Sequence, residues 1–352
     1  MTHPQRILVV QPSWVGDAVM ATPALRALRV KFPDAHISYL IKRYVKPMYT
    51  GMPWADRLIT YRTGKTDKHA GRSQFLGLIA KLRTQHFDTA VILPGSFKSA
   101  LVCKMAGIGR IVGYERDGRG FLLTDRLLPP KKDGRYVPSP IVKYYMGLAS
   151  YLGSTDRDLT MALFVTPSEK READETLARA KLSAESPRPW IMLNPGAMYG
   201  ASKCWPASYF AEVADALIEQ RNATVLISSS PRERAIVDEI LSHMKRPERT
   251  VDLSRCGMTL GALKDIVRRC DLMITNDTGP RHIAAAMDVP VVTLFGPTHP
   301  QWTEIYFNKE RICQVPVHCG PCQLKRCPLD HRCMTRLVPS IVLRATAELL
   351  DQ

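Results

Sequence analysis

Apolar runs bounded by turn residues alternate with segments of helical period along most of this chain. "RILVVQ" (6–11) leads into "GDAVMATPALRALRVKF" (16–32), and "AHISYLI" (35–41) follows. "DTAVILP" (88–94) leads into "FKSALVCKMAG" (97–107). Short, continuously apolar strands separated by helices predict βα units on a parallel sheet covered on both faces. The pattern fades between Tyr151 and Pro189, where "TPSEKREADETLARAKLSAESPRP" (166–189) holds one polar, amphipathic helix flanked by prolines. It restarts at "WIMLNPG" (190–196) and continues through "ASYFAEVADALIEQR", "ATVLISSS", "ERAIVDEILSHM", "DLMITND", "RHIAAAM" and "VPVVTLFGP". A last helix, "SIVLRATAELL" (340–350), ends the pattern.

Two α/β halves joined by a polar connector predict two facing Rossmann-like domains with a ligand cleft between them. The expected boundaries are 1–165 for the first, 166–189 for the connector, 190–337 for the second and 338–352 for the terminal helix. Ligands of such sheets sit beyond the carboxyl ends of the strands, so the strand-end turns are where chemistry is expected.

Three such turns stand out in the second half. In "LMITNDTGPRHIAAA" a strand ends in Asn276-Asp277-Thr278-Gly279 and a helix opens on Pro280. Proline suits a first helical turn, Asp277 or Thr278 is placed to cap it, and the helix N-terminus is an anion site. His282 lies one turn in, facing the same ligand or packing. "NPGAMYGASKCWP" follows another strand and puts Lys203 beside the apolar Trp205-Pro206 anchor, where it would neutralise a diphosphate or stand as an ordinary surface lysine. "SSSPRERA" offers Glu233 to a ribose or to its own helix start. Two anion-suited loops favour a phosphorylated ligand in this half.

The first half carries an acid where a phosphate cradle would be expected. "PSWVGDAVMATPAL" places Asp17 directly after Gly16. A carboxylate is favourable in a first helical turn but repels phosphate. With the cradle in the other half, Asp17 reads as a general base on a substrate hydroxyl or as a helix-capping acid. Other motifs fail: "GKT" (64–66) has Ile59 where a P-loop needs glycine, "GIGRIVG" has the wrong glycine spacing, and Asp156-Arg157-Asp158 is the sole D-x-D. No G-x-S-x-G or H-E-x-x-H occurs.

Composition bounds these readings. The chain has 352 residues, 45% hydrophobic and 23% charged, as a soluble globular protein does. No apolar run approaches the roughly 18 residues of a membrane span, and "MTHPQRILVV" lacks a signal-peptide h-region, so a cytosolic protein is expected. The net charge of +16 is uneven: residues 1–165 hold 25 Lys and Arg against 11 Asp and Glu. An anionic partner of the first half is implied, whether nucleic acid, lipid or acidic substrate; the alternative is a solvated basic face. Nine cysteines without a secretory signal do not suggest a disulfide scaffold. Cys319, Cys322, Cys327 and Cys333 fall in a C-x2-C-x4-C-x5-C spacing that suits a structural zinc or iron, or packed free thiols.

"PSWVGDAVMATPALRALR", "LPGSFKSAL", "NPGAMYGASKCWP" and "TNDTGPRHIAAA" together resemble the ADP-heptose:lipopolysaccharide heptosyltransferases of glycosyltransferase family 9, and within them the heptosyltransferase II subgroup. The resemblance implies a GT-B architecture with an N-terminal acceptor domain, a C-terminal ADP-heptose domain and a last helix packing back on the first. It implies an inverting transfer that needs no cofactor or catalytic metal, with Asp17 as base. Lys203 and the N–H groups around Thr278 and Gly279 would offset charge on ADP, and Asp277, His282 and Glu233 complete the donor residues. Met198 and Tyr199 depart from the small hydroxyl residues of the heptosyltransferase I subgroup, so that group's phosphate contacts are not carried over.

The implied acceptor is an anionic Kdo-lipid A-type glycolipid at the cytoplasmic face of the inner membrane. Ser96 and Lys98 are its candidate contacts, and Arg62, Lys65, Lys68, Arg72, Arg116 and Arg119 are candidate steering charges. Alternatives are a first- or third-heptose enzyme, a nucleotide-sugar epimerase, or a nucleic-acid or membrane-binding module. A nucleic-acid partner is not expected, because no aromatic RNA-binding motif interleaves the basic residues.

Overall fold

A computed structural model describes residues 4–61 and 68–352. The chain divides into two compact units, Met1–Phe164 with Gln301–Ile305, and Val165–Pro300 with Tyr306–Gln352.

The first unit is built on β1 (Arg6–Val10), β2 (His36–Lys42), β3 (Arg57–Tyr61), β4 (Thr89–Ile92), β5 (Arg110–Tyr114) and β6 (Asp125–Leu127), followed by a small hairpin of β7 (Lys131–Lys132) and β8 (Arg135–Tyr136). Its helices are α1 (Val15–Met20), α2 (Thr22–Lys31), α3 (Lys68–Arg83), α4 (Phe97–Met105) and α5 (Ile141–Tyr151). The six strands are parallel in the order β3-β2-β1-β4-β5-β6. Leu8 and Val10 pack with Leu40, Ile92, Leu82 of α3 and Val102 of α4. Ile7 and Val9, on the opposite pleat, are equally buried, which is why the strand reads as an unbroken apolar run.

The second unit repeats the plan with β9 (Trp190–Asn194), β10 (Thr224–Ile227), β11 (Thr250–Asp252), β12 (Leu272–Asn276), β13 (Val291–Phe295) and β14 (Glu310–Gln314). Its helices are α6 (Pro167–Arg179), α7 (Ala207–Arg221), α8 (Arg234–His243), α9 (Leu260–Arg268), α10 (Gly279–Ala286), α11 (Arg332–Thr335) and α12 (Pro339–Leu350). The order is β11-β10-β9-β12-β13-β14, again all parallel. In both units the chain steps outward from a central strand and then returns to its other side. The resulting switch points, β1/β4 and β9/β12, are where this topology opens a crevice for ligands.

Two expectations need correction. The terminal helix α12 packs on the second unit, against α7 and β12–β14. Its Val342, Ala345 and Leu349, at i, i+3 and i+7, join the core of Ile191, Phe210 and Val292. Arg221–Asp351 at 2.6 Å and Arg311–Glu348 at 3.0 Å hold its polar side. Residues 166–189 are likewise not a free connector, because α6 packs along α9. Thr166 and Glu169 form a capping box at its start, and Glu169 also pairs with the fully buried Lys264 at 2.8 Å. A buried lysine without that partner would carry a large desolvation cost, so α6 is locked to this unit.

Candidate functional site

The β1/β4 switch point of the first unit opens a cavity of about 610 Å3. α1 starts there because Pro12 and Ser13 end β1. Trp14 is the N-cap and Asp17 is the acid of the first turn. The Asp17 carboxylate lies near two buried phenols. That of Tyr145 is pushed well above its ordinary value, first by burial and then by Asp17. Tyr49 is shifted the same way by burial, Tyr39 and Asp17. Around this carboxylate the cavity wall carries Lys42, Lys98 and Arg116, with Ser96 and Ser99. Asp17, Ser96 and Lys98 are thus brought together. Lys42 and the Tyr144–Tyr145 pair were missed by sequence reasoning, although Lys42 marks the end of β2 beside β1.

Ser96 is the N-cap of α4 without a side-chain cap bond; its hydroxyl donates to Ser99 Oγ at 3.2 Å. Lys98 Nζ stands 5.0 Å from the centre of the Phe75 ring. Arg119 is not a steering charge: it is fully buried. Its guanidinium donates to the Tyr114, Pro94 and Ser96 carbonyls at 3.0, 2.5 and 3.2 Å and to Ser99 Oγ at 3.1 Å. It clamps the loop that presents Ser96 and Lys98. Arg116 lies in the cavity wall. Arg62 and Lys65 lie outside the described residues, as do the side chains of Lys68 and Arg72. Asp156 and Asp158 are spent on Arg26, at 3.4 and 2.8 Å.

The β9/β12 switch point of the second unit gathers the other candidates. Lys203 is buried, and its Nζ donates to Asp277 Oδ2 at 2.5 Å and Asp277 O at 2.8 Å. Thr298 Oγ1 donates to the same carboxylate at 2.9 Å, and Arg281 reaches its other oxygen at 3.3 Å. Arg281 in turn pairs with Glu310 at 2.6 Å. Burial would raise the Asp277 carboxyl, but Lys203 and Arg281 outweigh it and hold it at about 2. His282 goes the opposite way: burial first, then Arg281, bring its imidazole down to about 3. It is therefore neutral near pH 7, and its buried Nδ1 has no hydrogen-bond partner among the described residues.

Thr278 is the N-cap of α10 and Gly279 its first residue, but the Thr278 side chain makes no cap hydrogen bond. The Thr278 hydroxyl is turned to Asn276 O and to Asn194 Nδ2, at 3.2 Å each. The cap role expected of Asp277 or Thr278 is therefore not filled by Thr278. Glu233 accepts from Ser230 Oγ at 2.6 Å. It stands against Gly196, where a β-carbon would come within 2.5 Å of its carboxyl carbon. Glycine at 196 thus lets Glu233 reach the end of β9. Sequence reasoning missed Asn194, Asn276, Arg281, Thr298 and Glu310. The asparagines had a signal, because "WIMLN" and "LMITN" both end on a buried amide.

The lysine loop is held by the cysteine-rich segment. Tyr199 Oη donates to Gln323 O at 2.6 Å, Ser202 Oγ to Leu324 O at 2.5 Å, and His331 Nε2 to Ser202 O at 2.7 Å. Lys203 lies 4.9 Å from the centre of the Tyr199 ring. Cys319, Cys322 and Cys327 are half-buried, Cys333 is buried, and all are free thiols. Burial and then the other three thiols push Cys333 up. Among the described residues no group of three or more His, Cys, Asp or Glu is arranged to hold a metal. The backbone of this segment is aimed at the 199–203 loop through the Gln323 and Leu324 carbonyls, and its four thiols lie close enough for the other three to act on Cys333.

The sequence pattern of glycosyltransferase family 9 (heptosyltransferase) matches residues 75–332. Lipopolysaccharide heptosyltransferase 2 of Escherichia coli (strain K12) is 32% identical over 313 residues, 88% of each chain. Lipooligosaccharide heptosyltransferase 2 of Haemophilus influenzae is 30% identical over 314 residues, also 88% of each. The solved structure of E. coli ADP-heptose lps heptosyltransferase II superimposes with a TM-score of 0.81 at 28% identity, covering 99% of both chains. With its two parallel six-stranded α/β units, this chain belongs to glycosyltransferase family 9, the heptosyltransferases.

Proposed function

We propose that this enzyme transfers heptose from ADP-heptose to the first heptose of a lipopolysaccharide inner core, with inversion at the anomeric carbon. The observation that carries the reading is one carboxylate, Asp17, in a cavity whose other charged wall residues, among the described residues, are the cations Lys42, Lys98 and Arg116. Such a wall suits an acceptor bearing phosphates and carboxylates, and it leaves a single base for a neutral hydroxyl. Asp17 takes the proton of that hydroxyl, the oxygen bonds to C1 of the donor heptose, and the C1–O bond to ADP breaks. Ser96 and Lys98 bind the acceptor.

The second unit binds the donor. Lys203, prepositioned by Asp277, and the N-terminus of α10 at Thr278 and Gly279 offset the charge gained by departing ADP. His282 presents a neutral ring to the same place, and Glu233 accepts from the ribose. These groups perform the role a divalent cation plays elsewhere, so the reaction is read as metal-independent. Among the described residues no helix is long and apolar enough to cross a membrane. The enzyme is read as cytoplasmic and peripheral to the inner face of the inner membrane, where its acceptor is anchored.

The test is mass spectrometry of the acceptor after incubation with ADP-heptose and a chelator, offering Kdo2-lipid A and its mono-heptosyl form in parallel. One heptose added to the mono-heptosyl form alone is expected. Addition to Kdo2-lipid A would make it a first-heptose enzyme. Consumption of donor without transfer would point to an epimerase.

A further inference from the structure

The first unit exposes an apolar surface interleaved with cations at the rim of the Asp17 cavity. Leu128 and Phe121 are 76% and 74% exposed, the highest values among the large apolar side chains of the described residues. Phe121 packs against Phe97, ring centres 6.0 Å apart; Phe97 opens α4 between the cavity residues Ser96 and Lys98. Leu128 follows β6, which meets the next cavity residue through Glu115 N donating to Leu127 O at 2.8 Å, one position before Arg116. The Arg116 guanidinium stacks 4.2 Å from the centre of the Tyr136 ring, and Lys131 covers that ring at 5.0 Å. The β7–β8 hairpin thus abuts the cavity residue Arg116 from outside without lining the cavity, with Lys131, Lys132, Tyr136 and Val137 all exposed.

We infer that this surface, Phe97, Phe121, Leu128 and the Lys131–Val137 hairpin, docks the enzyme on an anionic lipid bilayer with the acceptor cavity at its edge. The composition is that of an interfacial anchor: apolar side chains that gain by leaving water, a tyrosine with one wet end, and cations that reach headgroup phosphates. Setting aside the buried Arg119, residues 97–137 hold eight Lys and Arg against four Asp and Glu, so the charge matches a negative surface. A protein partner would favour a contiguous dry centre depleted of lysine, whereas here cations stand between the apolar groups. The inference deepens the proposed function and rests on its acceptor being lipid-anchored, since a surface bordering the cavity would present that acceptor's sugar to Asp17.

The experiment is co-sedimentation of the full chain with phosphatidylglycerol-containing vesicles and with pure phosphatidylcholine vesicles, at low and raised salt. Two variants are compared, Phe121→Ser with Leu128→Ser, and Lys131→Glu with Lys132→Glu. Turnover is measured on a deacylated, water-soluble acceptor and on the same acceptor in vesicles. Wild type is expected to bind the anionic vesicles in a salt-sensitive way, and each variant to lose about ten-fold in partitioning. Turnover should fall in parallel on the vesicle acceptor and stay unchanged on the soluble one. Wild-type binding of the variants, or no vesicle binding by the wild type, would overturn the docking surface while soluble-acceptor turnover keeps the proposed function. Vesicle binding lost in both variants, with no heptose transfer by the wild type, would keep the surface and remove the function.

Discussion

Lys203 Nζ and Asp277 Oδ2 lie 2.5 Å apart, and both side chains are buried. The lysine that the sequence offers as a phosphate neutraliser is thus not a loose surface cation. Its partner fixes the ammonium at the end of β9. A buried pair is tolerated only because each charge answers the other, and removing one partner costs about 3–5 kcal/mol. Asp277→Ala, which leaves Lys203 without its carboxylate, should lower unfolding free energy by about that amount. Lys203→Met should cost less, because Asp277 keeps Arg281 and Thr298. The same lysine variant should weaken ADP binding by roughly 10- to 100-fold, the worth of one hydrogen bond to a charged group. Chemical denaturation and titration calorimetry check both. Equal stability losses in the two variants would contradict the network.

Stability should also depend on pH through His282. Its folded value of about 3 lies below the ordinary 6.5. Between these limits the unfolded chain binds a proton that the folded one refuses, so stability rises with pH. The contribution is complete above about pH 6.5 and is lost as pH falls toward 3, by up to about 1.4 kcal/mol per unit. Asp277, lowered from 3.8 to about 2, adds a further loss below about pH 3.8. Replacing His282 with Gln should flatten the curve between pH 6.5 and 4. An unchanged slope would mean that the imidazole is not held neutral.

The lysine loop and the cysteine-rich segment should fail together. A β-carbon at Gly200 would stand 2.3 Å from the Lys325 carbonyl oxygen, backbone against backbone. Gly200→Ala should therefore displace the segment, at about 1–3 kcal/mol, and raise KM for the donor more than it lowers kcat. His331→Ala removes one bond to Ser202 O without a clash and should shift donor KM in the same direction, but less. A loss confined to kcat in both variants would argue against a positioning role.

Much of this was legible in the chain. Runs such as "RILVVQ" and "WIMLN" are apolar on both pleats because helices cover both faces of each sheet, so strand positions and sheet type followed. Asp17, Lys203 and Asp277 were legible as residues in the turns that follow strands, whereas Ser96 and Lys98 were singled out only through the family resemblance. What escaped was decided by partners distant in sequence. Arg119 reads as a surface cation beside Gly118 and Gly120, yet the carbonyls of Tyr114, Pro94 and Ser96 enclose it. The spacing of Cys319, Cys322, Cys327 and Cys333 reads as a metal motif or as packed thiols, and it does not show that the backbone of that segment holds Tyr199 and Ser202. Nothing in "SIVLRATAELL" says which sheet meets its apolar face. Contacts with α7 and β12–β14 decide that.

The most direct test of the account is the transfer rate of Asp17→Asn on the mono-heptosyl acceptor, with ADP affinity measured on the same preparation. Asparagine keeps the shape of the side chain and removes its basicity. Turnover should fall by roughly two to four orders of magnitude, while ADP binding, assigned to the second unit, stays at the wild-type value. Near-normal turnover would contradict the base assignment and leave Asp17 as an acid that only stabilises the first turn of α1.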